Sequence, residues 1–212
     1  MLKHNLQGCR TAGLQDWGVR MRQTVRTFVA VEAGTVARQE AAALIDQLQR
    51  SGADVKWVRP ENLHLTLKFL GEVALDRLPE VCEAVRSATS QVPAFDFGLR
   101  GVGAFPRIQR PRTIWLGCGQ GEEAMSELAH RVGKALQQLR FPRESRRFEA
   151  HLTLGRVRGP SPGLAALSAL LPAQAAVQLA PFRVEEAVIF SSDLRPSGPV
   201  YAHVGRAALG AG

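Results

Sequence analysis

Apolar and polar positions along this chain recur with two distinct periods, and the switches between them delimit its elements. Val25 to Val31 reads as a buried strand. Thr35 to Arg50 carries alanine, leucine and glutamine at helical spacing and ends at Ser51-Gly52, a helix stop. Val55 to Arg59 is a short strand closed by Pro60, and Leu63 to Leu70 is another, closed by Gly71. Leu75 to Ala88 repeats Leu75, Leu78, Val81, Cys82 and Val85 on one helical face, with Pro79 in the first turns, where proline is tolerated. Phe95 to Val102 and Thr113 to Cys118 read as strands, with a Gly-Ala-Phe-Pro turn at Gly103 to Pro106. Glu122 to Leu139 is an amphipathic helix with acids at its start and Arg140 at its end, complementing the macrodipole. A strand from about Phe148 to Val157, a short helix within Ser161 to Leu171, and closing strands at Phe182 to Phe190 and Pro199 to Val204 complete the pattern. Strands interleaved with helices predict an α+β domain, and no glycine-rich phosphate loop is present. The expected organisation is an N-terminal extension over residues 1–21, one domain over 22–205 and a C-terminal tail over 206–212.

Two of these strands carry the same tetrapeptide, His64-Leu65-Thr66-Leu67 and His151-Leu152-Thr153-Leu154, in separate halves of the chain. Strand alternation puts His64, Thr66 and Lys68 on one face and the leucines and Phe69 on the other, against a core. It sets each histidine beside its threonine, about 7 Å apart along the strand. The second copy repeats the arrangement with His151 and Thr153. Strict alternation places Arg156 opposite His151, unless Gly155 permits a bulge. Two rounds of strand, helix and motif strand point to an internal duplication with two histidines facing one site.

Paired imidazoles suit phosphodiester chemistry. One takes a proton from the nucleophile, the other gives one to the departing oxygen, and hydroxyls or a guanidinium hold the phosphoryl oxygens. A single histidine on a strand is more often structural, but two in the same context reverse that weighting. A zinc pair lacks a third ligand on the same face of either motif. His130 reads as helix surface and His203 as a strand residue.

The composition, 45% hydrophobic and 22% charged over 212 residues, is that of an ordinary globular protein. No apolar run approaches the roughly 18 residues needed to cross a bilayer. The first twenty residues lack the apolar stretch of a secretory signal, and an arginine-rich transit segment is the lesser alternative. Cys9, Cys82 and Cys118 have no metal-ligand spacing and fit a reducing cytoplasm. A net charge of +8, with arginines at 107, 110 and 112 and again at 143, 146 and 147, favours a polyanionic partner. Solvated surface charge has an equal claim.

The segments Arg26 to Ala30, Val55 to Gly71, Gly103 to Pro106, Phe148 to Arg156 and Ser191 to Tyr201 resemble the 2H phosphoesterase superfamily. Within it, the resemblance is to the LigT-like RNA 2′,3′-cyclic phosphodiesterases, also called 2′-5′ RNA ligases. It extends from about Arg22 to Tyr201, and Val55 to Gly71 is its most specific part. It implies a bilobal α+β fold, two pseudo-symmetric, antiparallel-rich sheets with flanking helices and a central cleft. It implies metal-independent hydrolysis of a terminal 2′,3′-cyclic phosphate on RNA, or on cyclic-phosphate nucleotides, to a 2′-phosphate, without a cofactor. His64 would be the proton donor and His151 the acceptor, with Thr66, Thr153 and Arg156 holding the phosphate. Phe28, Phe105 and Trp115 are candidate stacking surfaces, with Phe105 favoured for its place in a turn and the other two read as core. Ala150 departs from the proline usual in the family. The expected protein is a cytoplasmic monomer with no membrane partner. Rival readings are another 2H activity, such as nucleotide cyclic phosphodiesterase or reversible 2′-5′ RNA joining, and a non-catalytic RNA-binding module.

Overall fold

The structure, a computed structural model, describes residues 23–196 and 198–211. The expected extension and Cys9 lie outside the described residues. Nine strands and four α-helices follow in the order β1 (Thr24–Glu32), α1 (Thr35–Gln49), β2 (Val55–Trp57), β3 (His64–Ala74), α2 (Leu78–Thr89), β4 (Phe95–Arg107), β5 (Arg110–Gln120), α3 (Glu122–Gln138), β6 (Leu152–Val157), α4 (Leu164–Leu170), β7 (Phe182–Val184), β8 (Glu186–Arg195) and β9 (Gly198–Ala208) among the described residues. They build two sheets, ordered β3-β1-β8-β9 and β2-β6-β5-β4-β7. All the strand pairs are antiparallel. Among the described residues no helix is long and apolar enough to cross a membrane.

One contiguous core joins the inner faces of both sheets to the apolar stripes of the helices. It includes Leu44 and Leu48 of α1, Val81 and Val85 of α2, and Leu128 and Leu136 of α3. Leu65 and Leu67 of β3 and Leu152 and Leu154 of β6 anchor both motifs in it. A separate small cluster of Phe28, Ala30, Val188 and Phe190, with Tyr201 packed on it, covers the other face of the first sheet.

Several expected boundaries move, each for an identifiable reason. β4 runs through Gly103 to Arg107, so the expected Gly-Ala-Phe-Pro turn is a paired strand and the chain reverses after Arg107↔Arg110. Gly103 is selected because the Trp115 ring occupies the space where a Cβ would stand. The expected strand from Phe182 to Phe190 divides at Glu185 into β7 and β8, which serve different sheets. Residues 206–208 of the expected tail continue β9 opposite β8, with Ala207 fully buried. Gly71 does not end β3; its left-handed backbone sits in an irregularity of the β1–β3 ladder, beyond which pairing resumes to Ala74.

The largest correction concerns side-chain parity. Val29 pairs with Lys68 and Ala30 with Thr66, which leaves Leu67 as an extra residue in a β-bulge. Beyond it the faces exchange. Lys68, expected beside His64 and Thr66, turns inward and is 4% exposed, its Nζ donating to the Pro142 carbonyl at 2.5 Å and to Glu144 at 3.0 Å. Phe69, expected in the core, turns outward and is 59% exposed. The same irregularity recurs in β6. Ile114 pairs with Gly155 and Trp115 with Thr153, so Leu154 is the extra residue. Gly155 therefore joins the buried face, where an added Cβ would stand 2.7 Å from Val55 Cγ1 and 2.8 Å from Trp57 Cε3. Gly155→Ala is expected to cost about 1–3 kcal/mol through overpacking. Urea denaturation checks this, and an unchanged midpoint would show that the β2–β6 contact yields freely.

Candidate active site

Each motif strand begins at its histidine or directly after it, and the backbone just upstream fixes the imidazole. In the first lobe a short turn of 3-10 helix, Pro60–Asn62, leads into β3. His64 Nδ1 lies 2.7 Å from the Asn62 carbonyl oxygen. The Asn62 side chain in turn donates to the Pro199 carbonyl on β9 at 3.2 Å, tying this turn to the far edge of the sheet. In the second lobe His151 Nδ1 lies 2.8 Å from the Glu149 carbonyl. β6 starts at Leu152 rather than at the expected Phe148, because the ladders to β2 and β5 pair no residue ahead of Leu152. A carbonyl only accepts, so both Nδ1 atoms carry hydrogen. The neutral rings therefore share one tautomer, in which Nε2 holds the lone pair and can take or give a proton.

The paired bulges decide which other groups share this face. On the first sheet His64, Thr66 and Phe69 of β3 lie on the side of Phe28, whose ring centroid is 4.9 Å from His64 and 6.0 Å from Phe69. On the second sheet the bulge at Leu154 returns Arg156 to the side of His151 and Thr153, so strict alternation misplaced it. Arg156 is exposed and its Nη1 donates to Thr113 Oγ1 at 3.2 Å, across the β5–β6 ladder. Phe105 and Trp115 flank His151, with centroids at 5.3 Å and 6.4 Å, both edge-on. Beside them is a cavity of about 510 Å³ lined in part by Phe105, Trp115, Phe148, Arg147, Glu122 and His151. The indole Nε1 of Trp115 is buried without a hydrogen-bond partner among the described residues.

The two histidines have different surroundings. His64 rests on an aromatic floor, tilted over Phe28 and edge-on to Tyr201 at 5.4 Å, with Phe190 at 6.1 Å. Burial there disfavours the imidazolium and lowers its pKa below 6.5, and the Arg156 and His151 charges lower it further. The bond to Asn62 and the Glu32 carboxylate oppose that shift. Glu32 is the cross-strand neighbour of His64. It also holds His203 and Arg206 of β9, at 3.6 Å and 3.4 Å. Arg156 acts on His64 and on Tyr201, whose hydroxyl is pushed up by burial and down by that guanidinium. Side chains of the two sheets thus share one electrostatic neighbourhood.

Every expected site residue lies on these two faces: His64 and Thr66 on one, His151, Thr153, Arg156 and Phe105 on the other. Phe105 does so from a strand, not from a turn. Trp115, read as core, lines the cavity; Phe28 is buried as expected, yet directly beneath His64. The arginines at 107, 110, 112, 143, 146 and 147 are all exposed. Sequence reasoning missed Glu32, Thr113 and Tyr201, and it assigned Phe69 to the core. Glu32, Thr113 and Tyr201 lie on β1, β5 and β9, and only the strand register brings them beside the motifs. Among the described residues no group of three or more His, Cys, Asp or Glu side chains could hold a metal ion.

The family profile described as LigT like Phosphoesterase matches twice in succession, over residues 34–115 and 116–201, one motif in each match. The chain belongs to the LigT-like phosphoesterase family. It is 35% identical over 177 residues to a protein of Methanothermobacter thermautotrophicus named RNA 2′,3′-cyclic phosphodiesterase, covering 84% of this chain and 95% of that one. A protein of the same name from Archaeoglobus fulgidus is 36% identical over 180 residues, covering 84% and 96%. A crystal structure of a Thermus thermophilus protein superposes with a TM-score of 0.73 at 27% identity, over 88% of this chain and 98% of that one.

In the free protein His64 should titrate below 6.5. Arg156→Ala removes a charge that disfavours the imidazolium and should raise that value, whereas Glu32→Gln should lower it. NMR titration of the imidazole resonances checks both signs, and shifts in the opposite sense would refute this account of the site's field.

Proposed function

We propose that this protein hydrolyses the terminal 2′,3′-cyclic phosphate of RNA to a 2′-phosphate, acting as a cytoplasmic monomer. The observation that carries this reading is the matched pair of histidines. Both are anchored at Nδ1 by the carbonyl two residues upstream, both have a threonine on the same face, and Arg156 joins them through a bulge. The curated relatives named RNA 2′,3′-cyclic phosphodiesterase support the choice of substrate.

In the reaction, His151 Nε2 takes a proton from water as the water oxygen bonds to phosphorus. The bond from phosphorus to the 3′ oxygen breaks, and protonated His64 supplies the proton that makes a 3′-hydroxyl. Nucleophile and leaving oxygen lie on opposite sides of phosphorus, one served by each lobe. Thr66, Thr153 and Arg156 bind the phosphoryl oxygens, where charge accumulates. The depressed pKa of His64 fits an acid that becomes protonated as the anionic phosphodiester arrives, because a nearby negative charge favours the imidazolium.

Cyclic-phosphate-ended RNA should therefore yield a 2′-phosphate, and a 3′-phosphate product would overturn the regiochemistry. His64→Ala and His151→Ala should each reduce kcat by roughly 10²–10⁴-fold. With His64 as the acid, kcat/KM should fall as pH rises through its lowered pKa, and the corresponding limb of kcat should lie at higher pH. Activity should persist in EDTA; its loss would reinstate a metal. Arg156→Ala should raise KM about tenfold or more, in keeping with a charge-assisted contact.

A further inference from the structure

We infer that one end of the second sheet, carrying Lys56, Arg107 and Arg110, grips the phosphates of the RNA chain that leads to the terminal nucleotide. This rests on the proposed hydrolysis, and goes beyond it by assigning a surface to the body of the substrate. The observation is a set of like charges that the fold places together. Lys56 of β2 pairs directly with Arg156 of β6, and Arg107 of β4 pairs directly with Arg110 of β5. Side chains directly opposite on antiparallel strands are close neighbours, and two cations so placed repel each other. Two such pairs stand in one five-stranded sheet. A bound anion turns each of them from a cost into a site.

The ladders fix where these cations lie. Lys56, Arg156, Thr113 and Phe105 form one row across β2, β6, β5 and β4. The Arg107↔Arg110 pair stands two ladder steps beyond Phe105↔Thr113, about 7 Å along the strands. The cations therefore begin at Arg156, the group assigned to the reacting phosphate, and continue away from it. From Phe97 to Gly121 the chain holds Arg100, Arg107, Arg110 and Arg112 and no carboxylate. Elsewhere surface charge is balanced: Arg26, Arg77, Arg86, Arg131, Arg183 and Arg195 each lie within reach of a carboxylate. Beside His64, Glu32 meets both His203 and Arg206. Lys56, Arg107 and Arg110 are exposed and have no carboxylate partner among the described residues. An RNA chain leaving the cleft across the first sheet meets paired charge. One leaving along the second meets unpaired cations, which its successive phosphates neutralise. A cyclic mononucleotide has no further phosphate to offer them.

The test compares an RNA oligonucleotide ending in a 2′,3′-cyclic phosphate with a cyclic-phosphate mononucleotide, over a range of potassium chloride concentrations. For the wild type, log KM of the oligonucleotide should rise with log salt by about 0.7 for each phosphate neutralised. The double variant Arg107→Gln/Arg110→Gln should raise that KM about tenfold and lower the slope by about 0.7 or more, with kcat unchanged. Lys56→Gln should act in the same sense to a smaller extent. Neither variant should alter kinetics on the mononucleotide. Their thermal midpoints should not fall, since each relieves a repulsion. Lys134→Gln, which removes an exposed charge from α3, should leave KM and slope at the wild-type values. Equal effects on both substrates, or an equal effect of Lys134→Gln, overturn the assignment. Binding of the labelled oligonucleotide to His64→Ala, by fluorescence anisotropy, separates this failure from that of the hydrolysis. A salt-dependent affinity that Arg107→Gln/Arg110→Gln weakens about tenfold supports the surface even if the wild type turns nothing over. An affinity indifferent to that substitution overturns it.

Discussion

Much of this site follows from one extra residue in each motif strand. A regular strand would point Lys68 toward His64 and hold Arg156 away from His151. Leu67 and Leu154, each unpaired in its ladder, exchange the faces downstream while keeping the upstream leucines in the core. The leucines are what hold the bulges in place. Leu65, Leu67, Leu152 and Leu154 are all buried, and slipping either strand by one residue would move its leucines into the cleft and its histidine into the core. Apolar burial of one face therefore sets the register of the histidines and threonines on the other.

The same backbone solution serves both lobes, while the side chains set around it differ. Each imidazole is fixed by a local carbonyl, so tautomer and orientation come from the few residues before each strand. Around His64 the first sheet supplies Phe28, Phe190 and Tyr201, and burial there disfavours the imidazolium. Around His151 the second sheet supplies Phe105 and Trp115 beside an open cavity. Glu32 and Arg156, one from each sheet, act on His64 with opposite sign. A duplicated scaffold thus carries two unlike environments, which suits the proposed division into acid and base.

Ion pairing elsewhere shows the same economy of position. Most carboxylate pairs among the described residues are on the surface, where each contributes little. Lys68 is the exception. It is buried by the bulge, and its ammonium is met by a carbonyl and by Glu144 ahead of the second motif, joining β3 to the segment that leads to His151.

The sequence by itself determined the α+β alternation, the helices, and the two motifs with each histidine beside its threonine, since these depend on local period and on residue chemistry. It also left open, through Gly155, the bulge that Arg156 required. It did not determine strand parity beyond the motifs, because a bulge leaves the composition of a strand unchanged and shows only in its pairing. Hence Lys68 and Phe69 were assigned to the wrong faces, and Gly103 to Pro106 to a turn that Trp115 and the β4–β5 ladder make a strand. Tertiary structure alone brought Glu32 and Tyr201 to His64 and Thr113 to Arg156, for they come from strands whose proximity is set by hydrogen bonding between distant segments. Periodicity is a property of neighbours in the chain, whereas the proton affinity of His64 is a property of neighbours in space.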